Sequence, residues 1–273
     1  MSSLLGGARV RELLRSSDIR PSRALGQSFV VDPNTVARIV RLAEIGPSEE
    51  ILEIGAGLGS LTLGLLGAAE RVVALEKDER LAALLLEVVE GGRVEVVVGD
   101  ALKVDLGSFD ATKSVSNLPY SVAARVVLKV LAEAPRIEEL TVMVQKEVGE
   151  RLAASPGTRV YGASSVLVAA HADATILGRV SRRAFWPVPN VDSVVVRLRR
   201  RPAPAGAGNL GDVVRAAFSQ RRKSLRNSLA SVAGGTEAAV AALTEAGVAP
   251  QARAEELGLA EFVSVGRALE ARR

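Results

Sequence analysis

Three groups of residues in this chain have types and spacings that can do chemistry. The first is Glu53-Ile54-Gly55-Ala56-Gly57-Leu58-Gly59, a glycine loop headed by an acid. Glycines let the backbone turn tightly and approach a ligand where a side chain would clash. The second is a pair of acids further along, Glu76 and Asp100, with Ala101 directly after the latter. An acid about 20 residues beyond a glycine loop can accept ribose hydroxyls, and one at the end of the next strand can accept from a nucleobase amine. The third is Ser116-Asn117-Leu118-Pro119-Tyr120. Asn117 and the Leu118 carbonyl can accept hydrogen bonds from an exocyclic amine. Pro119 stiffens the loop, and Tyr120 offers a ring face on which a flipped base can stack.

Each group has a blander reading. Dinucleotide-binding proteins carry similar glycine loops. Glu76 or Asp100 alone would be read as a helix cap, and an isolated Asn-Leu-Pro-Tyr as an ordinary turn. Spacing and order shift the balance. The loop is G-x-G-x-G, not G-x-G-x-x-G, and Glu53 stands where it can orient the loop or face a cationic methionine end. Glycines followed by two acids in order favour S-adenosylmethionine, and the third group then falls where a methyl acceptor would lie. An adenine amine is a poor nucleophile because its lone pair is delocalised. Accepting its two N–H bonds helps the nitrogen become pyramidal, and no general base is needed before attack.

The elements that must hold these groups are legible from apolar patterning. Short buried runs at 51–54, 72–75, 94–98, 113–116 and 140–144 read as strands, with helices at 58–66, 78–89, 122–131 and 146–153. Pro33 opens a further helix carrying Val36, Ile39, Val40 and Ala43. Such alternation predicts a parallel sheet covered on both faces. Beyond it, 166–172, 174–180 and 194–198 read as strands, 201–208 as a linker, and 210–273 as helical. The expected division is a domain over 1–200 with an N-terminal helical extension, then a helical domain over 201–273.

Composition narrows the class. Cysteine is absent, which removes disulfides, thiolate catalysis and cysteine-ligated zinc, and there is one histidine, His171. His171 lies in an alternating stretch and reads as a structural or surface residue. No apolar run reaches the roughly 20 residues a membrane helix needs. Net charge is only +4, yet cations cluster at Arg197, Arg199, Arg200 and Arg201, and again at Arg221, Arg222, Lys223 and Arg226. Either cluster suits phosphates or a solvated face.

Taken together, the chain resembles the KsgA-type small-subunit rRNA adenine dimethyltransferases, kin of the erythromycin-resistance rRNA methyltransferases. The resemblance rests on Leu25-Gly26-Gln27-Ser28-Phe29, the glycine loop, Glu76, Asp100, the Asn117 to Tyr120 loop and Met143-Val144-Gln145-Lys146-Glu147-Val148. It continues in Phe185-Trp186-Pro187-Val188-Pro189-Asn190-Val191-Asp192-Ser193 and Phe218-Ser219-Gln220-Arg221-Arg222-Lys223-Ser224-Leu225-Arg226-Asn227. Ser28 stands where the family usually has Asn, Val30 where it has Leu, Ala56 where it often has Pro, and Ser121 where it has Asn.

The resemblance implies an α/β fold, a Rossmann-like class I S-adenosyl-L-methionine-dependent methyltransferase with a small C-terminal all-α domain. It implies dimethylation of two adjacent adenines near the 3′ end of small-subunit rRNA, without metal, releasing S-adenosyl-L-homocysteine. Gln27, Ser28, Val30, Glu53, Gly55, Gly57, Glu76, Asp100, Ala101 and Asn117 would then hold the cofactor. Phe185 would stack on the target base opposite Tyr120. Arg221, Arg222, Lys223 and Arg226, on one or two faces of a helix, would grip rRNA in an immature small subunit. A cytoplasmic monomer is expected. A large-subunit resistance methyltransferase, a DNA adenine methyltransferase and a binding-only assembly factor are the alternatives.

Overall fold

The computed structural model describes residues 4–22, 26–220 and 223–272. It contains β1 (Phe29–Val30), β2 (Glu50–Ile54), β3 (Arg71–Glu76), β4 (Val94–Val98), β5 (Lys113–Asn117), β6 (Glu139–Gln145), β7 (Ala172–Val180), β8 (Phe185–Trp186) and β9 (Ser193–Arg200). The chain divides into two compact units, Met1–Gly149 with Ala174–Arg200, and Glu150–Asp173 with Arg201–Arg273. This differs from a single boundary after residue 200. The segment Glu150–Asp173 belongs with the C-terminal helices because Tyr161, Val166 and Ala170 are buried in one core with Val214, Leu243 and Phe262.

The first unit is built on a seven-stranded sheet in the order β4-β3-β2-β5-β6-β9-β7. Strands β2 to β6 pair in parallel, and β9 runs antiparallel to β6 from Glu139↔Arg199 to Gln145↔Ser193. Val72, Val73, Ala74 and Leu75 of β3 are all buried, as a strand covered on both faces requires. Helices Pro33–Leu42, Ser60–Leu66, Glu79–Val88 and Ala123–Glu133 lie close to the expected ranges. The first of them starts as read: Pro33 is at its head, and the Asp32 carboxylate accepts the amides of Asn34 and Thr35 at 3.2 and 3.1 Å.

Strand order reverses between β2 and β5, and the two part early. Their register ends at Leu52↔Ser114, whereas β2 stays paired with β3 as far as Ile54↔Leu75. Ile54 N–H donates instead to Ser116 Oγ at 2.9 Å. A crevice at the carboxyl ends of strands, where the order reverses, is where open α/β sheets bind ligands.

In the second unit, helices Ala163–Ala169, Leu210–Phe218, Thr236–Glu245 and Leu259–Glu270 enclose the apolar cluster. The Phe218 ring centroid lies 6.0 Å from that of Tyr161 and 5.9 Å from that of Phe262. Residues 166–172, read as a strand, are therefore mostly helix: Val166 and Ala170 stand one turn apart and face the same core. A short apolar run does not distinguish the two by periodicity.

The first arginine cluster is structural. Arg197 and Arg199 pair with Glu44 and Glu139. Arg200 donates to the carbonyls of Leu131 at 2.8 Å and Ala134 at 3.0 Å, closing the end of helix Ala123–Glu133. Arg201 pairs with Asp173. In the second cluster, Arg221 and Arg222 lie outside the described residues. Lys223 stands in a bend rather than a helix, and Arg226 is exposed on the four-residue helix Leu225–Ser228.

Candidate active site

The crevice between β2 and β5 opens into a cavity of about 400 Å³. Its wall includes Glu53, Gly55, Gly57, Glu76 and Asp100 from one side, and the loop of Asn117, Leu118, Pro119 and Tyr120 from the other. Gln27, Ser28 and Val30 complete it. Residues separated by nearly a hundred positions meet here because β2, β3, β4 and β5 all end at the same edge of a parallel sheet.

The Asn117–Tyr120 loop is clamped. Gly26 and Gly55 both have positive φ, +70° and +76°. A Cβ on Gly26 would stand 3.1 Å from Tyr120 N, and one on Gly55 3.1 Å from Pro119 Cδ. Leu118 N–H donates to Met143 O at 3.1 Å, and Val122 N–H to Pro119 O at 3.1 Å. Asn117 Nδ2 donates to the Ser28 carbonyl at 3.4 Å. That bond orients the amide and leaves Oδ1, among the described residues, free to accept from a ligand. Tyr120 shares a hydrogen bond with Ser193 Oγ at 3.0 Å. Burial pushes the Tyr120 hydroxyl above the usual phenol value, and the Ser193 bond offsets part of the rise. It therefore stays protonated and is no base at neutral pH.

The acids have distinct duties. Glu53 is fully buried, and its Oε2 accepts from Thr62 Oγ1 at 2.6 Å. Burial pushes its carboxyl up to about 8; the Thr62 bond opposes this, and the nearby Glu76 charge adds to it. Glu76 Oε2 accepts Gly57 N–H at 2.8 Å, while Oε1 accepts Lys77 N–H and Asp78 N–H, each at 2.9 Å. Glu76 thus closes the glycine loop while facing the cavity, with one lone pair of Oε2 left over. Asp100 Oδ1 accepts Leu102 N–H at 3.0 Å and Oδ2 accepts Lys77 Nζ at 2.9 Å. The Lys77 ammonium holds its carboxyl below the usual range. The cap reading of these two acids is realised, and both also line the cavity.

Two expected residues stand outside the cavity wall, and a third lines it with its hydroxyl engaged. Phe185 is buried to 1% exposure in the core with Val36 and Ile39 and is not in the cavity wall. Its strand β8 pairs with β1, Val30↔Phe185, which turns the ring inward and leaves no face for a base. Leu102, not Ala101, lines the cavity beside Asp100. Ser28 lines the cavity, but its hydroxyl donates to Pro187 O at 2.7 Å, so its proton is already committed. Sequence reasoning also missed Ser60, Asp78 and Arg125 in the wall. Asp78 only opens the expected helix at 78–89, and Ser60 and Arg125 fall inside those at 58–66 and 122–131, so their types gave no signal.

A mostly parallel seven-stranded sheet with an antiparallel strand beside β6, a glycine loop after β2 and acids ending β3 and β4 defines a Rossmann-like class I methyltransferase. The chain belongs to the ribosomal RNA adenine dimethylase family, whose model matches residues 20–270. It is 50% identical over 272 residues to ribosomal RNA small subunit methyltransferase A of Thermobifida fusca, covering 96% of this chain and 95% of that one. Among solved structures, a dimethyladenosine transferase from Plasmodium falciparum is 25% identical, with a TM-score of 0.71, over 86% of this chain and 94% of its own. The 23S rRNA methyltransferase ErmE is 30% identical, with a TM-score of 0.66, over 89% and 99%.

Proposed function

We propose that the chain uses S-adenosyl-L-methionine to dimethylate the N6 amines of two adjacent adenines near the 3′ end of 16S rRNA, in the bacterial cytoplasm. The orientation of Asn117 carries this reading: with Nδ2 given to Ser28, its acceptor oxygen is presented in the same cavity as Glu53, Glu76 and Asp100. The residues present fit the cofactor. Asp100 and Glu76 offer acceptors for adenine and ribose, and Glu53 an acid for the cationic end. Bound S-adenosyl-L-methionine supplies an electrophilic methyl on a sulfonium sulfur.

The chain's own groups do the rest. Asn117 Oδ1 and the Leu118 carbonyl accept the two N–H bonds of the target amine, so the lone pair is freed as nitrogen turns pyramidal. Tyr120 holds the flipped base by its ring. With Phe185 in the core, Tyr120 is the aromatic ring in the wall besides Phe29. Positioning is the main catalytic effect. Lys223 and Arg226, with Arg221 and Arg222, would contact rRNA phosphates, which position without reading sequence.

Identity favours the small-subunit target over the large. The Thermobifida fusca relative is 50% identical over nearly the whole chain, against 30% for ErmE. Labelled S-adenosyl-L-methionine incubated with immature small subunits and with naked 23S rRNA tests the choice. Label in the small subunits alone is expected; label in 23S rRNA alone would overturn it.

A further inference from the structure

Among the described residues, the Ser60 hydroxyl has nothing to bond. The residue is 6% exposed and lines the cavity, and its Oγ has no hydrogen-bond partner among the described residues. A helical serine usually bonds the carbonyl four residues back. Here that carbonyl, Ala56 O, accepts Gly59 N–H at 3.0 Å and takes no bond from Ser60. Buried polar groups are nearly always satisfied, and one left over at a cavity wall calls for a partner from outside the chain.

The rest of the cavity limits what that partner is. Glu76 and Asp100 match the ribose and adenine of the cofactor, which leaves Glu53 as the acid for its amino-acid end. An α-amino acid carries its ammonium and carboxylate on one carbon, so a site that holds it needs an acid and a donor close together. Two other hydroxyls are engaged: Thr62 gives its proton to Glu53, and Ser28 gives its own to Pro187. Lys77 is paired with Asp100. Ser60 is uncommitted.

We propose that Ser60 Oγ donates a hydrogen bond to the α-carboxylate of the bound cofactor, beside the α-ammonium facing Glu53. The proposal rests on the reading of this cavity as the S-adenosyl-L-methionine site and assigns the residue that recognises the amino-acid end. Ser60 then discriminates cofactors with that end from nucleosides without it.

The test is calorimetric titration of wild type and Ser60→Ala with S-adenosyl-L-homocysteine and with 5′-methylthioadenosine, which lacks the amino-acid end. The proposal expects roughly tenfold or greater weakening for S-adenosyl-L-homocysteine, as for a hydrogen bond to a charged group. Affinity for 5′-methylthioadenosine should stay the same in both proteins. Thermal melts keep folding separate: ligand-free Ser60→Ala should melt at or above the wild-type temperature, because it loses an unbonded hydroxyl. Unchanged affinity for S-adenosyl-L-homocysteine, or equal loss for both ligands, would overturn the role of Ser60. Failure of wild type to bind either ligand would overturn the reading of the cavity itself.

Discussion

Ser116 Oγ accepts the Ile54 amide at 2.9 Å just where β2 and β5 stop pairing. The side chain takes over from a backbone acceptor, so the strands can separate and the cavity can open without stranding a buried N–H. Ser114 Oγ lies 3.3 Å from the same hydroxyl and extends the contact inward. Replacing Ser116 by Ala leaves the Ile54 amide unsatisfied. A loss of about 1–3 kcal/mol is expected, measured by urea denaturation, together with weaker cofactor binding because Ile54 leads into the glycine loop.

Asn117→Ala removes the acceptor oxygen but only one long hydrogen bond, that to Ser28. Turnover should fall by roughly a hundred- to a thousandfold, the range for losing one group that stabilises a transition state. Melting temperature should hardly move. Near-normal methylation of small subunits by this variant would remove Asn117 from the mechanism.

Glu53 makes stability depend on pH with a definite sign. Its ordinary value is 4.5 and the folded value about 8. Between these, the folded protein keeps a proton that the unfolded chain has lost. The stabilising contribution is complete below about 4.5 and declines by about 1.4 kcal/mol per pH unit until the folded group ionises. Wild type should therefore lose stability relative to Glu53→Gln as pH rises from 5 to about 8, and the difference should level off beyond. A cationic ligand favours the ionised acid, so S-adenosyl-L-methionine should bind more tightly as pH approaches 8. A binding constant flat across that range in wild type would count against Glu53 facing the cationic end.

Gly26→Ala tests the clamp on the Asn117–Tyr120 loop. The residue has φ +70°, and its new Cβ would press on Tyr120 N at 3.1 Å. Backbone rather than a flexible side chain is in the way, so the loop itself must shift. About 1–3 kcal/mol of destabilisation is expected, with a fall in kcat larger than the change in KM for the cofactor. Steady-state kinetics of the purified variant would show it.

What was legible in the sequence follows from physics with a local signature. The glycine loop, the acids after it and the Asn117 loop belong to strands whose buried runs are short and bounded by turns, so their order alone placed them at one sheet edge. The stacking role of Phe185 came from the family resemblance alone, and no local pattern around it reports which way its ring faces. Pairing of β8 with β1, a contact between residues 30 and 185, decides where its ring goes. Ala101 and Leu102 differ by one step along a turn, which no periodicity resolves. The Arg197–Arg201 group suited either a phosphate patch or a solvated face until Glu44, Glu139 and the end of a helix proved to be its partners. Charge counts do not report pairing across such separations.

The segment Glu150–Asp173 leaves the ribosome well before the C-terminal residues that share its core. Until Val214, Leu243 and Phe262 have been synthesised, Tyr161, Val166 and Ala170 have no partners to cover them. A growing chain thus carries an uncovered apolar segment between the two stretches that build the first unit, and release of the last helix is what hides it. The same holds for a protein cut after Arg200: it should express as a dye-binding, aggregating species by light scattering and ANS fluorescence. A clean, monodisperse 1–200 fragment would show that this patch can be buried without the C-terminal helices.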